Sequence, residues 1–126
     1  VFLCTQAVLP DMVARGSGCI MTVASISGHR GYRGCSAYCA AKAGVIAFME
    51  ALALELRDRA IKVHILSPGA VATQLRANNH PNEDPGTILP AGEIANIAVF
   101  LAALPPQTQI REVTVVPTVQ LTEGRR

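Results

Sequence analysis

Apolar residues recur along this chain at two spacings, and the switches between them mark alternating helices and strands. Val1, Leu3 or Cys4, Ala7 or Val8 and Met12 stand near helical spacing, so Val1 to Val13 reads as a helix. Arg15-Gly16-Ser17-Gly18 breaks it, and Cys19 to Ala24 (CIMTVA) is an apolar run of strand length, the kind buried in a parallel sheet. A glycine-rich loop from Ser27 to Gly34 leads to Ser36, which suits an N-cap, and helix-forming residues continue to about Arg59. Ile61 to Leu66 (IKVHIL) reads as a second strand, stopped by Ser67-Pro68-Gly69. Asn78 to Pro90, rich in Pro, Asn and acids, reads as a long surface loop. Ala91 to Leu104 is a further amphipathic helix ended by Pro105-Pro106, and Val113 to Val116 is a third strand before a polar tail.

Helix and strand alternate three times, which predicts an α/β fold with a parallel sheet, right-handed crossovers and helices on both faces. The 126 residues suit a single domain, and neither a repeat nor a second domain is visible. Two features point to a chain cut upstream. The first helix has no start signal and no initiator methionine before it, and a three-stranded sheet would leave its first strand at an exposed edge.

Composition narrows the class. Half the residues are apolar, 4% are aromatic and none is Trp, so the core must be built from Val, Ile, Leu and Ala. A formal net charge of +2, with no interleaving of basic and aromatic residues, argues against a nucleic-acid partner. No unbroken apolar run reaches the roughly 18 to 20 residues of a membrane span, and no segment has the layout of a signal peptide, so no membrane partner and a cytosolic (cytoplasmic) location are the default expectations. Cys4, Cys19, Cys35 and Cys39 form no CxxC pair and have no histidine at zinc spacing; they read as reduced, mostly buried thiols, with no metal site. His29, His64 and His80 are far apart and receive no chemical role.

Two stretches carry candidate chemistry. The loop SGHRGYRG places glycines between a strand and a helix, as a phosphate cradle would, but lacks both the Gly-x-Gly opening of a dinucleotide turn and the Gly-Lys-Ser/Thr ending of a P-loop. A flexible loop over a cleft fits it better. In SAYCAAK, Tyr38 and Lys42 are four apart, on one helix face near the end of the sheet where α/β proteins bind ligands. An ammonium beside a phenol favours the phenolate, which makes proton transfer possible; a half-buried tyrosine near a solvated lysine is the duller alternative for the same pattern. Ser25 ends the first strand thirteen residues before Tyr38, and Pro68-Gly69 ends the second, with Thr73 four residues beyond the glycine.

With these residues together, the chain resembles the short-chain dehydrogenase/reductase family. The segments that carry the resemblance are GCIMTVASISG, SAYCAAKAGVIAFMEALALEL, IKVHILSPGAVATQL and PAGEIANIAVFLAAL, in the family's order. The resemblance implies that residues 1–126 are one partial domain, the C-terminal catalytic half of a doubly wound, Rossmann-type three-layer α/β/α fold, lacking the dinucleotide-binding half. It implies an NAD(P)-dependent oxidoreductase acting on an alcohol or ketone, in which Ser25 polarises the substrate carbonyl, Tyr38 exchanges the proton, and Lys42 supports the tyrosinate and binds the nicotinamide ribose. Pro68, Gly69, Val71 and Thr73 would line the cofactor. Ser27 is a competing hydroxyl, and its spacing to Tyr38 fits less well.

The family's glycine-rich turn, its NNAG stretch and its active-site asparagine are not in this sequence. The C-terminal IREVTVVPTVQ looks like the NADP-linked hydroxy-acid branches, which tips the choice of cofactor towards NADP over NAD. A homo-oligomer, dimer or tetramer, is implied through Val1 to Val13 and Ala40 to Leu56, the latter apolar or small nearly all round. The alternative from another class is an inactive fragment or a non-enzymatic interaction module.

Overall fold

In the computed structural model, which describes residues 1–121, the first apolar periodicity becomes α1 (Phe2–Arg15), capped by Gly16. The elements that follow are β1 (Gly18–Val23), α2 (Ser36–Glu55), β2 (Ile61–Pro68), α3 (Gln74–Asn79), α4 (Ala91–Ala103) and β3 (Glu112–Val115). Short 3-10 turns occupy Ile26–Gly28, Pro85–Thr87 and Thr118–Leu121. Residues 122–126 of the expected polar tail lie outside the described residues.

The three strands form one parallel sheet in the order β1-β2-β3, with Val23 opposite Leu66 and Ile65 opposite Glu112. Every residue of β2 is buried, including the polar Lys62, His64 and Ser67, so the strand is covered on both faces although its sequence alternates apolar and polar residues at its start. Its alternate side chains serve opposite layers. Ile61, Val63 and Ile65 join Ile20 of β1 and Ile46, Met49 and Leu52 of α2 in the main core, against which Leu9, Met12 and Val13 of α1 also pack. On the other face, Lys62 reaches the carbonyls of Ala102 at 2.9 Å and Leu104 at 2.5 Å, capping the end of α4 with its charge. His64 beside it is fully buried, with Nδ1 donating to the Ile110 carbonyl at 2.7 Å. It is a structural histidine, and its Nε2 has no partner among the described residues.

Helices therefore cover both faces, as the patterning predicts. The crossovers do not share one hand, however. The strands advance across the sheet in a single direction while α2 and α4 lie on opposite faces, so one of the two connections departs from the right-handed rule. The long β2–β3 connection, from Gly69 to Arg111, is not confined to the short-loop geometry behind that rule.

Several boundaries correct the sequence reading. Ser36 is the first helical residue rather than the N-cap; Gly34, at φ 78°, turns the chain so that Cys35 takes the cap position. Helix α2 ends at Glu55, short of Arg59, because Leu56 turns inward into the core and Ala60, at φ 53°, redirects the chain into β2. β2 continues through Ser67 and Pro68, since the missing Pro N–H is no obstacle at a strand's last residue. The expected loop after Asn78 is partly ordered: Thr73 caps α3 by accepting from the Arg76 N–H, and Val71 bridges Leu89. The thiols are less buried than expected. Cys4 and Cys35 are exposed and Cys19 and Cys39 intermediate; Cys4 lines an open groove beside β1, and Cys35 precedes α2. Although no unbroken run has membrane length, α2 taken as a helix is long and apolar enough to span one; Ile46, Met49 and Leu52 are buried against the sheet, and the rest of the helix is exposed or half-buried.

Candidate functional site at the strand ends

Ser25 stands two residues beyond Val23, the last residue of β1, and is 8% exposed. The Ala24 N–H donates to the Leu66 carbonyl at 2.8 Å, which carries the ladder up to Ser25 and stands it two residues beyond the Val23–Leu66 pair, level with Pro68 on β2. Its Oγ accepts from the Ser27 N–H at 3.1 Å, so Ser25 caps the 3-10 turn and its hydroxyl hydrogen is left for another acceptor. Ser27, the competing hydroxyl, sits within that turn.

The turn rests on α2. A Cβ on Gly28 would stand 3.0 Å from the backbone carbonyl of Lys42 and run into Ile46, so only glycine allows this approach. Lys42 in turn reaches from α2 to β1, its Nζ donating to the Val23 carbonyl at 3.1 Å, two residues before Ser25. The same Nζ lies 5.7 Å from the centre of the Tyr38 ring, within cation–π range, and Tyr38 is 43% exposed. The fold thus gathers Ser25, Tyr38 and Lys42 around the C-terminal end of β1.

The second set of predicted residues lies along the segment leaving β2. Pro68 pairs with Val115, and the Gly69 N–H donates to the Val115 carbonyl at 2.8 Å. Val71 is half-buried in its bridge to Leu89, and the Thr73 side chain caps α3. Sequence reasoning missed two supports here. Gln120 accepts from the Ala70 N–H at 3.0 Å, and Glu112 accepts from His29 and from Ser67. Partners 50 and 83 residues apart leave no local spacing to read.

Residues 72 to 88 form a flap closed at its base by the Ala72 N–H to Leu89 carbonyl bond of 2.8 Å and braced by Arg76, whose guanidinium binds both carboxylate oxygens of Glu83, one at 2.7 Å. Hydrogen bonding by Arg76 holds the Glu83 carboxyl below its ordinary value of 4.5, against a smaller opposing effect of burial. A depressed carboxylate stabilises the fold above its unfolded value and loses that contribution as pH falls through the folded one. Amide exchange in the flap should therefore accelerate, relative to the core, between about pH 6 and about pH 3. Glu83→Gln should show fast flap exchange at both ends of that range, and a flap protected equally in both proteins would refute the bracing role. Burial pushes the Cys19 thiol up, with Lys62 opposing, which keeps it protonated in the groove between α1 and β1.

The family model described as short chain dehydrogenase matches residues 1–84. The 3-oxoacyl-[acyl-carrier-protein] reductase FabG of Buchnera aphidicola subsp. Schizaphis graminum is 37% identical over 111 residues, covering 82% of this chain and 46% of the relative. The 2,5-dichloro-2,5-cyclohexadiene-1,4-diol dehydrogenase LinX of Sphingobium indicum is 35% identical over 111 residues, covering 82% of this chain and 44% of its own length. A closed form of serine dehydrogenase complexed with NADP+ superposes with a TM-score of 0.82 at 26% identity, covering 92% of this chain and 50% of that one. The chain thus spans about half the length of the relatives it matches.

Proposed function

The chain belongs to the short-chain dehydrogenase family, and from that membership we propose that it is the C-terminal, catalytic half of an NAD(P)-dependent oxidoreductase acting on an alcohol or carbonyl carbon. The observation that carries the reading is the position of Lys42, bonded to the end of the strand that presents Ser25 and adjacent to the Tyr38 ring. The order of the groups suits reduction and its reverse. The Ser25 hydroxyl, with its oxygen already accepting from Ser27, donates to the substrate oxygen and polarises the carbonyl. Tyr38 delivers the proton to that oxygen in reduction and removes it in oxidation. The ammonium of Lys42 offers three donors and uses one on Val23, leaving two for the ribose hydroxyls of a dinucleotide.

A nicotinamide cofactor, when bound, supplies or accepts the hydride. Pro68, Gly69, Val71 and Thr73 would hold it along the segment leaving β2. We favour NADP, in line with the NADP+ bound to the serine dehydrogenase neighbour. The substrate classes to try first are a 3-oxoacyl thioester and small hydroxylated compounds such as serine, after the relatives' names.

An upstream half is supported by the sheet itself. Among the described residues β1 pairs only with β2, and beside it a groove of about 280 Å³ is lined by Cys4, Val8, Met12 and Met21. Titration with NADPH tests the reading. The intact protein should bind in the micromolar range and the 126-residue chain should not, because the pyrophosphate normally rests on a helix after the first strand of the other half. Failure of the intact protein to bind either NADPH or NADH refutes an enzyme, and tight binding by the short chain refutes the division into halves.

The reading includes a homo-oligomer through α1 and α2. Phe2, Leu3, Val8 and Leu54 are exposed apolar side chains on these helices, and Phe2 meets Phe48 edge to face at 5.6 Å between ring centres. Light scattering on the intact protein should give a dimer or tetramer; an active monomer at micromolar concentration removes this part of the proposal.

A further inference from the structure

The crossover that carries Ser25 is tied down at its far end by a contact that the reaction scheme above does not use. After Ser25 and the Ile26–Gly28 turn, His29 extends across β2 to β3, where its Nε2 lies 2.6 Å from Oε1 of Glu112. The same oxygen accepts from the Ser67 hydroxyl at 2.6 Å. A carboxylate only accepts, so Nε2 carries the hydrogen and one oxygen takes two donors.

The two donors differ in setting. Ser67 is fully buried in β2, whereas the His29 side chain is 42% exposed. An ion pair that exposed contributes little to stability by itself. The bond from a buried hydroxyl fixes the carboxylate independently of His29, so the histidine docks onto an acceptor already held in place. The Ile26–Gly28 turn is short and stiff, and both its ends are bonded: the Gly28 N–H to the Ser25 carbonyl at 2.9 Å, the Ser27 N–H to the Ser25 hydroxyl. Fixing His29 at the end of this turn fixes the hydroxyl at its beginning.

We propose that His29, Glu112 and Ser67 form a strap across the sheet that holds the Ser25 hydroxyl in its reacting position, which makes Glu112 and His29 positioning residues for the reaction. The inference rests on the reading of Ser25 as the carbonyl-polarising group. A misplacement of about 1 Å can lower a rate about 100-fold, so release of one end of a short turn should cost of the order of 10-fold.

The test uses the intact protein, NADPH and whichever of the 3-oxoacyl thioester or hydroxylated substrates is turned over. Glu112→Ala and His29→Ala should each lower kcat roughly 10-fold with KM and NADPH affinity within about 2-fold, and the double variant should be no worse than either single one. Glu112→Gln keeps a carbonyl oxygen able to accept both bonds, and His29→Gln keeps a donor at a similar reach; both should retain kcat within about 3-fold. The Ser27 amide should exchange about 10-fold faster in the two alanine variants and not in the glutamine variants. Alanine variants with unchanged kcat in an active protein overturn the strap, as does a loss that glutamine fails to restore. If the parent protein turns over nothing, the enzyme reading fails, and the Ser27 amide still decides: unchanged exchange in the alanine variants overturns the strap, and faster exchange supports it.

Discussion

Tyr38→Phe in the intact protein should lower turnover by about 100-fold or more while leaving NADPH affinity within about 2-fold. The substitution removes one oxygen and keeps the ring, so the cation–π contact with Lys42 survives. Tyr38 is 43% exposed and forms no part of the core cluster, so its hydroxyl is not holding the fold together. Loss of activity without loss of thermal stability would therefore report chemistry rather than unfolding. Retention of more than about a tenth of the rate would sink the assignment, because general acid–base catalysis is worth about 100-fold or more.

Lys42→Ala should lose both turnover and cofactor binding, a different signature from that of Tyr38→Phe. Three interactions disappear together: the bond to the Val23 carbonyl, the charge beside the Tyr38 ring, and the donors proposed for the ribose. A drop of about 100-fold or more in kcat with at least about a 10-fold rise in the NADPH dissociation constant is expected. Lys42→Met separates packing from charge, since it keeps most of the aliphatic stem. It should behave like the alanine variant, and a methionine variant with parental kinetics would show that the ammonium has no part in the reaction.

The element sequence was legible because β2 and the helices around it solve a burial problem that shows in every residue. A strand covered on both faces is rich in aliphatic residues, and four of the six in IKVHIL are. The two polar exceptions in that run, Lys62 and His64, bond to carbonyls of Ala102, Leu104 and Ile110, which come from the far side of the chain and leave no trace near residue 62. Element ends were less legible. Ser36 suits an N-cap by type, but the position of Gly34 in the turn decided that Cys35 would occupy it. Thr73 suits an N-cap equally well and is one, yet α3 has only six residues, too short for periodicity to announce.

The candidate site divides along the same line. Tyr38 and Lys42 are neighbours on one helix, so the four-residue spacing alone placed them together, as helical geometry requires. Ser25 and the segment from Pro68 to Thr73 follow two parallel strands, and a parallel pair brings its C-terminal ends to one side of the sheet. Local periodicity and strand direction are properties that short stretches of sequence determine by themselves. The close approach of Gly28 to Lys42, the bond from Lys42 to Val23, and the meeting of His29 with Glu112 and Ser67 were decided only by the tertiary structure. Each joins residues from separate elements, and side chains so far apart in sequence find each other only after the sheet and its crossovers have fixed where both backbones stand.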